Sequence, residues 1–212
     1  AEESGTIENR RSLSLSYDCL GGIYAEEGNF KKAREYSEKA LELDEKIIEE
    51  ERTLEGCRKL SLSYSHLGDI CTAADEFAEA QKYYEKSVEI NRYLAEETGT
   101  IESRFELAKS YDIIGDSYQE EENTEKALQS YQCSLNIKSR LAEETEDDYI
   151  ISQLARTYYY IGIVNMEAPD IISLKKAKDI WEGLAMKEEQ NPVREYQKYA
   201  EIVGQLIEAL EE

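Results

Sequence analysis

The apolar positions of this chain return at a fixed interval of 47 residues. A leucine, a tyrosine and a glycine recur at 13, 17 and 21, at 60, 64 and 68, at 107, 111 and 115, and at 154, 158 and 162. Such a period is typical of a repeat protein, in which no unit can bury its apolar face alone and each must stack on its neighbours. The pattern therefore predicts a single array over residues 1–212.

Each repeat contains two segments with helical spacing. In the first, Leu13, Tyr17, Leu20 and Tyr24 fall at i, i+4, i+7 and i+11, which places them on one face of a helix. After the turn residues 27–29, a second set of apolar residues keeps the same spacing. We name these segments helix A and helix B. Their alternation predicts an all-α fold of antiparallel helix pairs, with threonines at 6, 53 and 100 capping helix A.

The period divides the chain into four repeats and a closing helix. We expect the repeats at about 1–47, 48–94, 95–141 and 142–190, and a C-terminal capping helix at 191–212. The fourth repeat carries about three extra residues near 168–170, which moves Ala177 and Trp181 out of strict register. Pro192 is expected at the first position of the closing helix, where a missing N–H loses no hydrogen bond.

The closing helix has two adjacent apolar stripes. Tyr199, Ile202 and Leu206 form the second of them, and together the stripes are wider than the ~100° that a surface helix commonly needs. Two interpretations are open. Either the helix covers both helices of the fourth repeat, or the second stripe pairs with another copy or a following domain.

A glycine stands at the centre of each helix A, where it costs about 1 kcal/mol relative to alanine. Its return predicts a packing reason. We expect the glycines at 21, 68, 115 and 162 to face Ala33, Ala80, Ala127 and Ala177 of helix B. The tyrosines at 17, 64, 111 and 158 have the helical spacing of core residues, so we assign them to the core rather than to a cofactor site.

The composition narrows the range of partners. With 47 acidic against 25 basic residues, the formal net charge is −22, and such a field repels nucleic-acid phosphates and anionic lipid. We therefore expect neither nucleic acid nor a membrane surface as the partner. Hydrophobic residues make up 41% of the chain, and their periodic placement excludes an acidic disordered tail. The sequence contains no run of ~18 apolar residues that could span a bilayer.

Residues with catalytic or metal-binding chemistry are few. The four cysteines show no CxxC pair, and with His66 as the one histidine no familiar zinc pattern can be assembled. We interpret the cysteines as free thiols of a reducing cytosol and expect Cys19 at the edge of the core. Asp112 and Asp116 are better explained as a solvated helix face than as a cation site. Because no base, nucleophile and oxyanion donor come together, we predict no enzyme, no cofactor and no metal. The free thiols favour a cytoplasmic location.

The repeat motif resembles that of the tetratricopeptide repeat family. The residues that carry the resemblance are Tyr17-x2-Leu20-Gly21-x2-Tyr24, then Gly28-Asn29-Phe30, Ala33, Tyr36 and Ala40-Leu41, with matches in the three later units. The resemblance implies a right-handed α-solenoid, a superhelix of antiparallel helix pairs in which helix A lines a concave groove. The period exceeds the family's usual ~34 residues by about 13, so longer helices and a wider groove are expected.

The resemblance also implies a scaffold that binds a protein or peptide in the helix A groove. Tyr159, Tyr160 and Ile163 are expected to form an apolar anchor there. Basic and acidic residues balance on this inner face, so the groove is expected to be near neutral, with the net charge elsewhere. The candidate groove residues are Arg11, Asp18, Arg58, His66, Asp69, Lys109, Asp112, Asp116, Arg156, Tyr159, Tyr160 and Ile163.

Two other interpretations stay open. The same residues could merely pack neighbouring helices or remain solvated. Alternatively, the chain could be a structural or self-associating module of a larger multidomain signalling or regulatory protein, and could form a homo-oligomer through its C-terminal helix.

Overall fold

The computed structural model describes residues 6–187 and 195–211. Within these ranges the chain forms nine α-helices and no strand. The position expected for Pro192 at the start of the closing helix lies outside the described residues. The helices are α1 (Ile7–Glu26), α2 (Phe30–Glu50), α3 (Leu54–Ala73), α4 (Phe77–Thr98), α5 (Ile101–Glu120), α6 (Thr124–Thr145), α7 (Asp148–Ile163), α8 (Ile171–Lys187) and α9 (Glu195–Glu211).

The helices alternate between the A and B types. The A helices begin at 7, 54, 101 and 148 and the B helices at 30, 77, 124 and 171, so the starts within each set are 47 residues apart. The chain divides into two compact units, residues 1–121 with α1 to α5 and residues 122–212 with α6 to α9. Within each unit, every helix packs on the next one in sequence. The predicted all-α fold of antiparallel helix pairs is confirmed, whereas a single array over 1–212 stays a prediction.

Polar side chains cap the A helices where the sequence predicts them. The Oγ1 atoms of Thr6, Thr53 and Thr100 accept hydrogen bonds from the backbone N–H three residues later, at 3.3, 3.1 and 3.2 Å. Asp147 takes the equivalent position before α7, and its Oδ1 accepts from the N–H groups of residues 149 and 150. These caps satisfy amides that the helix leaves open. Gly28 closes the first hairpin with a φ of 73°, which glycine adopts without strain.

The central glycines of the A helices admit larger groups than the predicted alanines. A Cβ built on Gly21 would overlap the Ser37 hydroxyl and would lie 3.3 Å from the Ala33 carbonyl oxygen, so Gly21 meets the backbone of the expected alanine but the side chain of Ser37. A Cβ built on Gly68, however, would overlap the ring of Tyr84. Tyr84, rather than Ala80, is therefore the side chain that Gly68 accommodates. The glycine is needed because the ring of this helix B tyrosine occupies the space that a side chain at position 68 would fill.

Unit 2 departs from the regular repeat in α7 and α8. Helix α7 has 16 residues against 20 in α5, and both α7 and α8 begin 47 residues after α5 and α6. The longer turn before α8 therefore comes from the early end of α7, and the prediction of extra residues near 168–170 is wrong. A Cβ built on Gly162 would lie 2.5 Å from Leu174 Cδ2, so this glycine faces Leu174 and the predicted pairing with Ala177 is wrong. Ala177 and Trp181 are nevertheless buried. The unit 2 core consists of Ala155, Leu174, Ala177, Trp181, Leu184, Ala200, Val203 and Ile207.

One of the four helix A tyrosines is fully buried. Tyr64 lies in the unit 1 core, whereas the tyrosines at 17, 111 and 158 are half-buried. Tyr158 nevertheless packs against the unit 2 core, so the assignment to the core is wrong for Tyr17 and Tyr111. Tyr17 shows the reason, because its ring lies against Tyr36 with centroids 6.0 Å apart and the Lys39 ammonium lies over it. An amphipathic ring at the protein surface keeps its hydroxyl near water and gains from a cation.

Helix α1 is far less buried than the equivalent helix of the second repeat. Leu13 and Leu20 are 44% and 38% exposed, whereas Leu67, which corresponds to Leu20, is fully buried and Leu60 is half-buried. The difference arises because α2 covers α3, while no described helix precedes α1. Cys19 is also exposed, so its expected place at the core edge is wrong.

A buried aspartate joins the first two repeats. Asp44 of α2 accepts hydrogen bonds from Ser14 of α1 and Ser63 of α3, both at 2.6 Å. The ammonium of Lys59 lies 3.6 Å from the same carboxylate. Because a buried carboxylate is stabilised only when hydrogen bonds and an opposite charge replace its water, this contact requires a specific partner on α3.

The equivalent residues of later B helices are also polar but differ in charge. Asn91 of α4 donates from Nδ2 to Ser110 of α5 at 2.6 Å. In unit 2, the fully buried Lys138 of α6 donates to Thr157 of α7 at 2.9 Å. Positions 44, 91 and 138 are one repeat apart, as are their partners at 63, 110 and 157. Helices α2, α4 and α6 therefore each contact the following A helix through one polar residue at this position, which we call the polar key.

Candidate functional site

A groove of about 460 Å³ runs along unit 1 between α3, α4 and α5. Four of the twelve residues predicted from the sequence line it, namely Arg58, His66 and Asp69 of α3 and Lys109 of α5. The three α3 residues share one face because they are separated by whole helix turns, and α5 presents Lys109 beside them. This groove is therefore the part of the predicted inner face that the structure assembles.

The floor of the groove combines hydroxyl groups with apolar side chains. The Oγ atoms of Ser61 and Ser87 are 2.9 Å apart and are buried. Leu94 of α4 is almost completely buried at the base, whereas Leu62 is 54% exposed on the wall. A half-buried isoleucine, Ile113, faces the groove from α5. A ligand would thus meet both apolar surface and hydrogen-bonding groups.

The two basic residues of the groove lie in ion pairs with nearby glutamates. Arg58 lies 3.6 Å from Glu55 and 4.0 Å from Glu102, and Lys109 lies 3.0 Å from Glu106. Exposed pairs of this kind contribute little to stability, about 0–1 kcal/mol each. Their charges can therefore be redirected to a ligand at small cost. Two basic residues, Arg58 and Lys109, and three acidic residues, Asp69, Glu102 and Glu106, line this groove.

Asp69 is an exposed residue of the groove lining whose carboxylate is hydrogen-bonded to α4. Its Oδ1 accepts a hydrogen bond from the Tyr84 hydroxyl at 2.8 Å. Burial raises the pKa of Asp69, an effect that this hydrogen bond partly offsets. Burial also raises the pKa of Tyr84, so its hydroxyl stays protonated and donates. This pair fixes one end of the groove.

A smaller depression of about 280 Å³ repeats this groove one repeat earlier in the same unit, between α1, α2 and α3. Arg11 and Leu15 line it, in the positions that Arg58 and Leu62 occupy in the larger groove. Arg11 is held by Glu51 at 2.9 Å. The inner surface of unit 1 thus carries two successive sites of the same design.

Three predicted residues lie apart from the groove lining. Asp18 is half-buried and forms an ion pair with Lys59. Asp112 is buried and has partners of its own. Asp116 is exposed. Asp18 and Asp112 thus fit the interpretation that some inner-face residues serve helix packing.

The remaining four predicted residues belong to unit 2, where they contact one another or the unit's own core. Arg156 donates from Nε to the Tyr160 hydroxyl at 2.7 Å. Tyr159 lies against Trp181 with ring centroids 6.4 Å apart, and Ile163 packs on the unit 2 core. The three residues expected as an apolar anchor are half-buried, so their exposed edges alone are available to a ligand.

Residues of helix B complete the groove, and the sequence analysis overlooked them. Ser87, Asn91 and Leu94 of α4 form its floor. The family resemblance directed attention to helix A alone. The signal that could have identified Asn91 is its place one repeat after Asp44, since a polar residue recurring on an otherwise apolar helix face must have a buried partner.

Metal sites and membrane-spanning helices would indicate other classes of function. In residues 6–187 and 195–211, no group of three or more His, Cys, Asp or Glu side chains is arranged to hold a metal ion. None of the helices in the described parts of the chain has the length and apolar character needed to cross a membrane.

Comparisons with known proteins agree with this geometry. Residues 12–92 match the tetratricopeptide repeat model. The crystal structure of BtubC (BKLC) from P. vanneervenii superposes with a TM-score of 0.62 at 21% identity, over 90% of this chain and 69% of that one. The tetratricopeptide-like repeats of a Podospora anserina putative kinesin light chain give 0.54 at 18% identity, over 97% and 99%.

A third structure, the apo form of RapI, superposes with a TM-score of 0.55 at 17% identity, over 94% of this chain and 69% of that one. At these identities the likeness concerns the fold. No curated protein sequence matches the chain. The family model and the structural neighbours together confirm the resemblance on which the sequence analysis relied.

Proposed function

We propose that this chain is a non-catalytic scaffold that binds a protein or peptide partner in the unit 1 groove. Its residues 12–92 match the tetratricopeptide repeat model. Repeats of this family serve chiefly in protein interaction, and the groove supports the proposal that this chain has the same role. The proposal rests on unit 1, because the candidate residues of unit 2 contact one another or their own core.

The observation that carries the proposal is the exposure of Leu62 beside weakly held charges. A leucine that is 54% exposed on a concave wall leaves apolar surface in water, which a ligand would cover. The groove volume of about 460 Å³ lies within the roughly 300–1,000 Å³ of ligand sites. Leu62, Leu94 and Ile113 offer a seat for one apolar side chain of a bound peptide.

The polar residues would orient that peptide. Arg58 and Lys109 already pair with Glu102 and Glu106 across and along α5. A peptide carrying both charges could exchange these pairs for its own. The serine hydroxyls of the floor are suited to the N–H and C=O groups of an extended backbone. We infer a ligand of mixed polar and apolar character rather than one of a single charge.

Affinity capture followed by chemical crosslinking tests the proposal. Partners captured by the wild-type protein are measured again with Leu62→Asp and with Arg58→Glu, and we expect both changes to weaken binding at least tenfold. Tyr93→Asp is the matched control, because Tyr93 is an exposed apolar residue of α4 that does not line the groove. Circular dichroism confirms that each variant is folded.

One pattern of results would reject the groove as the site. A verified partner that keeps its affinity for Leu62→Asp and Arg58→Glu, loses affinity for Tyr93→Asp and crosslinks to the B helices would place binding on the outer surface.

A further inference from the structure

The unit 1 groove and the smaller depression beside it are two copies of one site. Residues that line the depression have counterparts one repeat later in the lining of the groove. Leu15 is 58% exposed on the wall of the depression, and its counterpart Leu62 is 54% exposed. Three of the corresponding pairs are Arg11 and Arg58, Leu15 and Leu62, and Ile47 and Leu94. A ligand that covers one exposed leucine therefore has a second one within reach, on the neighbouring A helix.

The two sites differ in their hydrogen-bonding groups. Ser87 of the groove floor is replaced by Ala40 in the first repeat. Ser61 is replaced by Ser14, whose hydroxyl donates to Asp44. Among the described residues that line the depression, none carries a hydroxyl or an imidazole group. A polar ligand group buried there would find no hydroxyl partner, so the depression suits an aliphatic side chain.

The floor of the groove, in contrast, holds spare hydrogen-bond acceptors. The Oγ atom of Ser87 lies 2.9 Å from that of Ser61 and 3.4 Å from that of Ser65. Each hydroxyl has one proton and two lone pairs, so lone pairs outnumber protons in this cluster. A tyrosine side chain combines a hydroxyl that can donate to the floor with an apolar ring. Leu62 and Ile113 of the groove lining would cover that ring.

Helix packing sets the distance between the two sites. The Asp18–Lys59 ion pair joins α1 directly to α3, and neighbouring helices lie about 8–10 Å apart. In a polyproline II segment, side chains three residues apart return to the same side at a separation of about 9 Å. In a β-strand, side chains on the same side are about 7 or 13 Å apart. A polyproline II segment with a spacing of three residues therefore matches the two sites.

Electrostatics adds a third requirement. With two basic and three acidic residues, the groove lining has an excess of negative charge, whereas the depression lining has two residues of each sign. The whole chain has a net charge of −22. A basic residue next to the aromatic side chain of the ligand would therefore meet complementary charge.

We propose, building on the function proposed above, that the partner segment is a polyproline II helix with an aliphatic side chain and a tyrosine three residues apart. The aliphatic side chain occupies the depression and the tyrosine occupies the groove, where its hydroxyl donates to the serine cluster. A basic residue beside the tyrosine faces the acidic groove lining. Because one segment makes both contacts, the second contact is intramolecular once the first has formed, and the affinity exceeds that of either contact alone.

Calorimetric titration of the intact protein with synthetic peptides tests this proposal. The probes are Leu-Pro-Pro-Tyr-Pro-Lys and the same residues in reverse order, because a polyproline II segment can lie in either direction. We expect one of the two to bind with one peptide per chain, and Leu15→Asp and Leu62→Asp each to weaken it at least tenfold. Leu13→Asp is the matched control, because Leu13 is an exposed leucine of α1 that does not line the depression. It should leave the affinity unchanged.

Variants of the bound peptide test the spacing and the hydrogen bond. Peptides with one or three prolines between leucine and tyrosine should bind at least tenfold more weakly. Replacing the tyrosine by phenylalanine should weaken binding about threefold to tenfold, and Ser87→Ala in the protein should remove this difference. Replacing the lysine by glutamate should also weaken binding. Circular dichroism confirms that each protein variant is folded.

Three outcomes would overturn the proposal. Neither peptide order binds the wild-type protein, the three spacings bind equally well, or Leu15→Asp leaves the affinity of the bound peptide unchanged. A captured partner that loses affinity for Leu62→Asp but not for Leu15→Asp would show that the groove acts without the depression, so this inference would fail while the proposed function stands. A partner that keeps its affinity for both Leu62→Asp and Arg58→Glu counts against the proposed function itself.

Discussion

Truncating the same leucine in two successive repeats should have different effects on stability. Leu67 and Leu20 occupy equivalent positions of α3 and α1, but Leu67 is fully buried and Leu20 is 38% exposed. Leu67 packs with Leu41 and Tyr64 at the contact between α2 and α3. The pair therefore holds residue type and helix position constant while burial changes.

The structure sets the size of each effect. Removing a buried leucine costs about 2–5 kcal/mol in transfer and cavity terms, and we expect Leu67→Ala to fall in this range. Full burial of a leucine side chain contributes about 1.5–3 kcal/mol. Because Leu20 keeps over a third of its exposure and its removal leaves no closed cavity, Leu20→Ala should cost about 1–2 kcal/mol. The two variants should differ by about 1–3 kcal/mol.

Urea denaturation followed by far-ultraviolet circular dichroism measures both variants against the wild type. The transition midpoints give the change in free energy provided that the slopes agree. Equal losses for Leu20→Ala and Leu67→Ala would refute the reasoning, since they would mean that Leu20 of α1 is as covered in solution as Leu67 of α3. Repeating the measurement at lower protein concentration would then distinguish cover by another copy from cover within the chain.

Three other predictions follow from single sites. Gly22→Ala should stabilise the folded protein by about 0.5–1 kcal/mol, because a Cβ there meets open space. Gly68→Ala should destabilise it by about 1–3 kcal/mol, because its Cβ would overlap a tyrosine ring. Thermal denaturation in which both variants shift the melting temperature in the same direction would contradict this. In thiol labelling at pH 8, the exposed Cys19 should react fast. Burial raises the pKa of Cys71 to about 11, so this thiol should react only when the protein unfolds. Equal labelling rates in the native protein would be inconsistent with the structure. Burial raises the folded-state pKa of Asp69, so this carboxylate binds a proton in the native protein at a higher pH than in the unfolded chain. The wild type should therefore gain stability relative to Asp69→Asn as pH falls from neutrality toward 3.8. A stability difference that does not change with pH would show that Asp69 is solvated.

Much of the fold could be predicted from the sequence because it depends on local signals. The threonines before α1, α3 and α5 and the apolar spacing of each helix act within a few residues, and the 47-residue interval repeats them four times. What the helices face depends on side chains far away in sequence. Gly68 was expected to meet an alanine, and it meets the ring of Tyr84 because the rotamer of a large residue decides which atom fills a gap.

The candidate site was predictable in outline only. Arg58, His66, Asp69 and Lys109 share one helix face per repeat, so the period alone brings them together. Asp112 was misplaced because its neighbour Ile113 lines the groove, and a step of one residue rotates the side chain by about 100° around the helix, from the groove wall to a buried interface. Tyr159 was expected to be free for a ligand, but the large Trp181 lies close to it in the core, and no spacing rule shows how far a neighbouring aromatic ring will reach.

The polar keys make the repeats of this chain non-interchangeable, although their lengths are identical. Suppose that a gene rearrangement deleted residues 54–100 and joined α2 directly to α5. The period and every apolar position would be preserved, yet Asp44 would face Ser110, with Glu106 in the place of Lys59. A buried carboxylate would lose its counter-charge and gain a like one, which is strongly destabilising. The order of repeats is thus protected by chemistry against the shuffling that equal lengths would otherwise permit.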